Sequence, residues 1–469
     1  MQRVEHLLDR GSFVPLAAGS TRSPLVAGSG RAGGARVVVA CTDGHVRGGT
    51  IGLHEASILA RIAELAAAAE GGGERPAALI LGFDTGGVRV EEGPRALAAA
   101  AAAGVGLARL TLMGVPSAAV ISGPRGCFGA PAVMAALPDH IVMTANARWG
   151  LTGPKLLQGL CDGPGAEQAA LQATSADSRL GNGDAHAVVP DDAAAVRLSI
   201  RQFVATAARD TAAASLEDRI AASAAVTEGL QRRVAAASAP PSLHGSTGRR
   251  RRRDLLRYSF RGQWKTSGAI ERRGLIQTAL GTFADHPALG IVVGPEQSHG
   301  AGVGIEEAAV ITKMIQAATS TTGARGAGAV RAAILTFMFC QGHALDLTQE
   351  HFGLQRALAE CLRAMVAARL RGHPIVSILG GGTYGAAYLA LAAPSHRILA
   401  MRGTSVAPMA PAVLRAFQTL RGRAPSTHAP AQLAELIPEI HIVDSVIRLP
   451  RLLRDELVQL RRGVCEGRH

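Results

Sequence analysis

Short, wholly apolar runs and longer runs of helical period alternate along the chain, and the alternation occurs twice. A run of four to eight apolar residues ending at glycine reads as a buried strand, and a longer alanine-rich stretch reads as a helix. In the first half this predicts strands over 36–41, 77–83, 117–122 and 141–143, and helices over 55–70 and 91–112. A further helix follows Val188-Val189-Pro190-Asp191-Asp192, while residues 1–35 and 162–190 read as irregular. In the second half the strands fall near 291–293 and over 332–337, 375–379 and 397–399, with helices from 305 and over 349–370. Alternating strands and helices in two copies imply an α/β protein of two similar units.

The copies share residues as well as pattern. Gly126-Cys127-Phe128-Gly129-Ala130 returns 256 residues later as Gly382-Thr383-Tyr384-Gly385-Ala386, and the same offset carries Gly86, Pro138 and His140 onto Gly342, Pro394 and His396. Each copy reads as strand, tight turn, helix. Glycine lets a backbone approach a ligand closely, and a helix start leaves amide N–H groups without partners. Each copy is therefore a candidate oxyanion or anion cradle. The plainer reading, glycines that only turn the chain, loses ground because the feature is duplicated.

Composition narrows the class. With 469 residues the chain can hold two or three domains; it is 48% hydrophobic but 3% aromatic, so its cores must be built from Ala, Val, Leu and Ile. No apolar run reaches bilayer-spanning length on this reading, and the N-terminus lacks a signal-peptide core, which predicts a soluble, cytoplasmic protein. Six scattered cysteines (41, 127, 161, 340, 361 and 465) form no Cys-x-x-Cys pair, which fits reduced thiols and argues against a zinc ribbon. The net charge of +13 is concentrated: residues 249–273 hold ten basic residues against two acids. Residues 237–248, rich in Ala, Ser, Pro and Gly, read as a linker, and the Arg249–Arg253 run after them suits an acidic carrier protein or a phosphate-bearing thioester handle better than nucleic acid, because aromatic residues are sparse there.

Familiar catalytic motifs are missing. The chain has no His-Glu-x-x-His helix, no Gly-x-Ser-x-Gly elbow and no Walker loop. Gly380-x-Gly382-x-x-Gly385 matches a dinucleotide fingerprint, but residues 397–405 offer no acid for a ribose. A pair of backbone cradles suits reactions in which charge develops on a carbonyl oxygen, such as a thioester enolate. Decarboxylating a malonyl thioester mainly needs that enolate stabilised and the carboxylate desolvated. Among single residues, Cys127 is either a nucleophile or, with no His near it in sequence, a small residue packed under its turn. Arg89 and Arg125 either hold a carboxylate or phosphate or sit on a solvated surface. His343, in a cradle turn, is the best functional histidine, whereas His140 and His396 share a structural position.

These residues resemble a known family. Phe83-Asp84-Thr85-Gly86-Gly87-Val88-Arg89-Val90-Glu91-Glu92 before a long helix is similar to the first glycine motif of acyl-CoA carboxyltransferases, and closer to the beta subunit of biotin-independent malonate decarboxylase. Gly49-Thr50-Ile51-Gly52, residues 122–129 and Gly150-Leu151-Thr152-Gly153-Pro154 also resemble that subunit. Residues 344–353 and 368–374 resemble the gamma subunit, so the chain looks like a beta–gamma fusion. The resemblance implies two tandem crotonase-like (β-β-α superhelix) domains related by an internal repeat: 1–236, a linker over 237–265, and 266–469. It implies decarboxylation of malonyl on an acyl carrier protein, with no covalently bound cofactor, no metal, and a phosphopantetheine or dephospho-CoA-type arm on the carrier. The implied partners are that carrier and a carrier-loading transferase subunit, with no membrane and no nucleic acid. Carried over residue by residue, Gly86, Gly87, Phe128 and Gly129 line the first cradle, and Gly342, His343, Tyr384 and Gly385 the second. Arg89, Arg125, Cys127, Glu350 and Met409 would bind substrate; Glu350 matches a family acid but also suits a helix start. The chain departs from the pattern at Lys155, Gln158 and Gly159, and at Ala407-Pro408-Met409-Ala410-Pro411, where only Met409 survives. A biotin-dependent carboxyltransferase and a non-catalytic carrier-binding scaffold are the alternatives.

Overall fold

The computed structural model describes residues 2–16, 23–67, 75–159, 165–209, 214–237, 259–260, 262–294, 302–320, 331–339, 342–411, 413–414, 437 and 440–465. Most of the expected linker, including the Arg249–Arg253 run, lies outside these residues.

Two sheets of the same plan organise the chain. The first runs in chain order: β1 (Val14–Pro15), β2 (Leu25–Ala32), β3 (Ala35–Thr42), β4 (Ala78–Phe83), β5 (Ser117–Ile121), β6 (His140–Thr144) and β7 (Ala187–Val189). β2 and β3 are antiparallel, and β3 to β7 are all parallel. The second sheet repeats this with an antiparallel pair, β10 (Ile276–Phe283) and β11 (His286–Val293), then parallel β12 (Ala333–Met338), β13 (Ile375–Leu379), β15 (Arg397–Met401) and β17 (Ile440–Val443). Two short strands, β8 (Trp264–Thr266) and β9 (Glu271–Arg273), pair with the free edge of β10, and β14 (Thr383–Tyr384) pairs with β16 (Val406–Ala407) beyond the sheet. The central parallel strands are buried along their whole length, which explains why they read as unbroken apolar runs.

Several expectations change. Residues 1–35 are not all irregular: β2 supplies half of a hairpin whose Gly33 and Gly34 both have positive φ. Residues 162–190 contain helices Ala166–Ala173 and Ala176–Gly181 as well as β7. Trp264–Thr266, placed in the linker by sequence, is a strand with Trp264 buried against Phe260 and Phe283. The helix expected over 349–370 is two, Leu347–His351 and Leu354–Leu370, broken at Gly353 with φ of 91°. The stretch Val90–Leu112 does have the length and hydropathy to span a membrane, but it is mostly buried, its Ala and Gly residues letting neighbouring helices approach.

The two halves share one hydrophobic core. Helices Gly93–Leu112, Ala130–Ala135 and Leu216–Ala237 of the first half pack on Ile305–Thr319, Leu354–Leu370 and the π-turn Tyr388–Ala392 of the second. Gly104 illustrates the closeness: a Cβ there would stand 2.8 Å from Leu389.

Candidate active site

The loops that leave β4, β5 and β6 keep touching beyond the sheet. Single parallel bridges join Thr85 to Cys127 and Cys127 to Trp149, and a further bridge joins Ile51 to Val88. Gly87 has φ of 115°, and a Cβ on it would stand 3.4 Å from the Phe128 carbonyl oxygen. Gly129 has φ of 69°, and a Cβ there would stand 3.8 Å from the Gly87 Cα. The two glycine loops therefore face each other main chain to main chain, as a cradle requires. Arg47, Gly48 and Gly49 are all left-handed and lie over this turn, with the Gly48 carbonyl accepting the Gly86 N–H at 2.9 Å. For Arg47 that conformation is strained.

The second cradle repeats the geometry. Gly342 has φ of 119°, a Cβ there would stand 3.6 Å from the Tyr384 carbonyl oxygen, and Gly385 has φ of 52°. The Val303 N–H donates to the Gly342 carbonyl at 3.0 Å and the Ala344 N–H to the Val303 carbonyl at 3.1 Å. In the first half Ile51 donates to Gly87 at 3.0 Å and Arg89 to Ile51 at 2.8 Å. The structural partner of Gly342 is thus Gly87, and that of His343 is Val88. The constant offset pairs Gly342 with Gly86, which is exposed and ordinary in φ, so the repeat slips by one residue between its two glycine turns.

The amides are less free than the sequence suggests. Gly129 donates to the Leu151 carbonyl at 3.0 Å, Gly86 to Gly48, and Gly87 to the Thr85 Oγ1 at 3.1 Å. The expectation of an unpartnered Gly129 amide is overturned. Phe128 is half-buried at the lip. Tyr384 is buried and its hydroxyl pairs with the Ser405 Oγ at 2.5 Å, so it contributes main chain rather than a free phenol. Met409, half-buried, follows Pro408, whose carbonyl borders Gly385.

Three residues expected to bind substrate are committed elsewhere. Arg89 is 3% exposed and bonds Glu55 at 3.0 Å, Glu92 at 2.5 Å and the Thr50 carbonyl at 2.9 Å. Cys127 is fully buried, and burial, helped by the Asp84 charge, pushes its thiol well above its ordinary pKa, which disfavours the thiolate that a nucleophile needs. Glu350 is also fully buried, and its carboxylate accepts the N–H groups of Leu151 at 3.0 Å and Thr152 at 2.7 Å across the junction of the halves. Arg125 is exposed; its amide, not its guanidinium, is bonded to Asp84.

One contact joins the cradles. His343 Nε2 lies 3.3 Å from the Thr152 Oγ1, and Thr152 follows the Leu151 that holds Gly129. Burial lowers the His343 pKa to about 4, so its imidazole is neutral near pH 7. Thr152 lies in the Gly150–Pro154 motif without having been assigned a site role, and Arg179 was missed altogether: it is a fully buried hub that bonds the carbonyls of Trp149, Ala173, Glu350 and His351 and the carboxylate of Asp184. Nothing local in sequence marks Arg179. Among the described residues, no cluster of three or more His, Cys, Asp or Glu side chains could hold a metal ion.

Two family models match the chain. Residues 1–230 match the carboxyl transferase domain, and residues 298–448 match the malonate decarboxylase gamma subunit. The chain is 27% identical over 201 residues to the propionyl-CoA carboxylase beta chain of Rhodococcus erythropolis, covering 43% of this chain and 40% of that one. It is 31% identical over 151 residues to the malonyl-S-ACP:biotin-protein carboxyltransferase MADC of Malonomonas rubra, covering 29% and 45%. These matches span less than half the length of either relative. A Pseudomonas malonate decarboxylase MdcD-MdcE hetero-dimer structure is 33% identical, over 44% of this chain and 85% of that one, with a TM-score of 0.39.

Proposed function

The chain belongs to the carboxyltransferase superfamily, with a malonate decarboxylase beta-like half and a gamma-like half in one polypeptide, and from that premise we propose that it decarboxylates a malonyl thioester carried on an acyl carrier protein. We read the halves as two tandem crotonase-like domains related by an internal repeat, acting without biotin in the cytoplasm. The carrier presents its substrate on a phosphopantetheine or dephospho-CoA-type arm, loaded by a separate transferase subunit. The bond between the α-carbon and the carboxylate breaks, carbon dioxide leaves, and the electron pair passes to the thioester oxygen as an enolate. A proton then adds to the α-carbon to give the acetyl thioester.

The observation that carries this reading is the duplicated close approach of glycine loops, at Gly87 and Gly129 and again at Gly342 and Gly385, linked through Thr152 and His343. Because Gly86, Gly87 and Gly129 spend their amides internally, we assign the oxyanion donor to the Val88 N–H. The bridge to Ile51 uses the Arg89 amide on one side of the strand and turns the Val88 amide to the other. His343 is its counterpart in the second half. The neutral His343 imidazole and the Thr152 hydroxyl pass a solvent proton to the enolate.

Intact-mass measurement of malonyl carrier protein incubated with the chain tests this. Loss of carbon dioxide without biotin supports it. A second reading follows from the Malonomonas relative, whose name describes transfer to a biotin protein; loss only in the presence of a biotinylated acceptor would favour that. Carrier binding with no mass change would make the chain a non-catalytic paralogue.

A further inference from the structure

We propose that Glu350 is a positioning residue: a carboxylate from the second half that sets the main chain of Leu151 and Thr152, and through them the edge of the first cradle and the orientation of His343. The inference rests on the decarboxylase reading for its kinetic consequence, though not for its structural one.

Both carboxylate oxygens are in use, Oε2 on the Leu151 N–H and Oε1 on the Thr152 N–H. Two successive amide donors suit a group that only accepts; a glutamine in its place would turn a donor toward one of them. Gly150 makes room for this contact, since a Cβ there would stand 2.7 Å from Oε2. The other side of the glutamate is also fixed, because the Arg179 guanidinium donates to the Glu350 carbonyl at 2.6 Å. Beyond the clamp, two bonds lead to the cradles. The Leu151 carbonyl accepts the Gly129 N–H at 3.0 Å, and the Thr152 Oγ1 meets His343 Nε2 at 3.3 Å. Glu350 touches neither Gly129 nor His343 directly in this chain of bonds; it holds the segment that does.

A purely adhesive carboxylate would influence stability alone. A positioning one must act through Thr152. The test compares Glu350→Gln, Thr152→Val and the double variant in the full chain, reading kcat and KM for malonyl carrier protein and the ring-nitrogen NMR resonances of His343. Glu350→Gln is expected to lower kcat about tenfold or more with KM within about twofold, the pattern of a lost transition-state contribution. The double variant is expected to be no slower than the slower single, because both act on one path. The His343 resonances are expected to shift in both single variants. Gly150→Ala, which displaces Oε2 and keeps the carboxylate, should reproduce the phenotype and stands in if Glu350→Gln does not fold. Unchanged kcat with unchanged His343 resonances, or multiplicative losses in the double variant, would overturn the proposal. If the unaltered chain turns over no malonyl carrier protein, the decarboxylase reading fails, and the His343 resonances still decide whether Glu350 positions that ring.

Discussion

A side chain at Gly385 would stand 2.9 Å from the carbonyl oxygen of Pro408, whereas one at Gly129 would meet nothing nearer than the Gly87 Cα at 3.8 Å. The repeated glycines are therefore not equivalent. Both have positive φ, 69° at Gly129 and 52° at Gly385, and Gly129 combines it with a ψ of −145°, a region almost reserved for glycine, so any side chain adds backbone strain of about 1–3 kcal/mol. Gly129→Val should fold with that loss and lower turnover about a hundredfold, because a side chain over the cradle displaces the thioester from its reacting position. Gly385→Val should lose markedly more stability, since a backbone carbonyl cannot move aside. Urea midpoints beside kcat for the two variants check this. Equal destabilisation would show that the Pro408 contact relaxes.

Of the two arginines expected to bind substrate, Arg125 remains once Arg89 is committed to Glu55 and Glu92. It is exposed, and only its amide is tied to Asp84. Arg125→Ala should therefore leave the unfolding midpoint unchanged and raise KM for malonyl carrier protein, most strongly at low salt, because an exposed charge is screened within about 10 Å at 0.1 M ionic strength. A KM that is unchanged, or that rises equally at all salt concentrations, would remove Arg125 from substrate binding.

His186 makes stability pH-dependent with a sign that can be worked out. Its Nδ1 accepts the Ile141 N–H at 3.0 Å, which needs a neutral ring. Burial, followed by the charges of Arg356 and His140, lowers its pKa from 6.5 to about 4. Between those values the unfolded chain binds the proton more readily, so the contribution is full above pH 6.5 and is lost as pH falls toward 4. His343 titrates in the same direction. Denaturant unfolding between pH 7 and pH 4.5 should show declining stability, and His186→Asn, which keeps an acceptor but cannot titrate, should make the decline shallower. An unchanged slope would mean that the ring is already solvated.

The thiol of Cys127 should be inert. It is buried with a raised pKa and sits beneath the turn that bridges Thr85 and Trp149. Iodoacetamide at pH 8 should leave it unmodified in the native chain, and Cys127→Ala should retain activity. Rapid alkylation at Cys127 with loss of turnover would restore it as a candidate nucleophile.

The parallel strands were legible because burial on both faces leaves an uninterrupted apolar signature, and the glycine turns because positive φ demands glycine. The hairpin partners β2 and β10 were not. Leu25-Val26-Ala27-Gly28-Ser29-Gly30 mixes small and polar residues, and its strand state comes from pairing with β3. The one-residue slip at Gly342 was invisible for a related reason: an offset matches letters, and only the dihedral angle shows that Gly87, not Gly86, carries the special conformation. Glu350 and Arg89 were recognisable as significant charges but not as internal ones, because Glu350 meets Thr152 about 200 positions away and Arg89, besides its neighbour Glu92, is buried against Glu55 34 positions away.

Arg179 supplies the most severe test of how the halves hold together. Its guanidinium is fully buried and spans four carbonyls and one carboxylate, with Trp149 and Ala173 on the first half and Glu350 and His351 on the second. Asp184 keeps a second partner in Arg233 at 3.1 Å, so removing Arg179 does not strip it of all compensation. Arg179→Met fills similar volume but takes the donor from the Trp149 and Ala173 carbonyls, while the Glu350 carbonyl keeps the Gly353 N–H at 3.3 Å and that of His351 keeps the Asn182 side-chain amide. Breaking a buried charged contact of this kind typically costs about 3–5 kcal/mol. Because Arg179 bridges the halves rather than bracing one of them, the loss should appear as a separation of two unfolding transitions where the unaltered chain is expected to show one, its halves sharing a core. Arg179→Lys, with a single charged head in place of the fork, should recover little of it. Calorimetry of the three proteins checks this, and a single transition of unchanged midpoint in Arg179→Met would show that the shared apolar core alone fixes the junction.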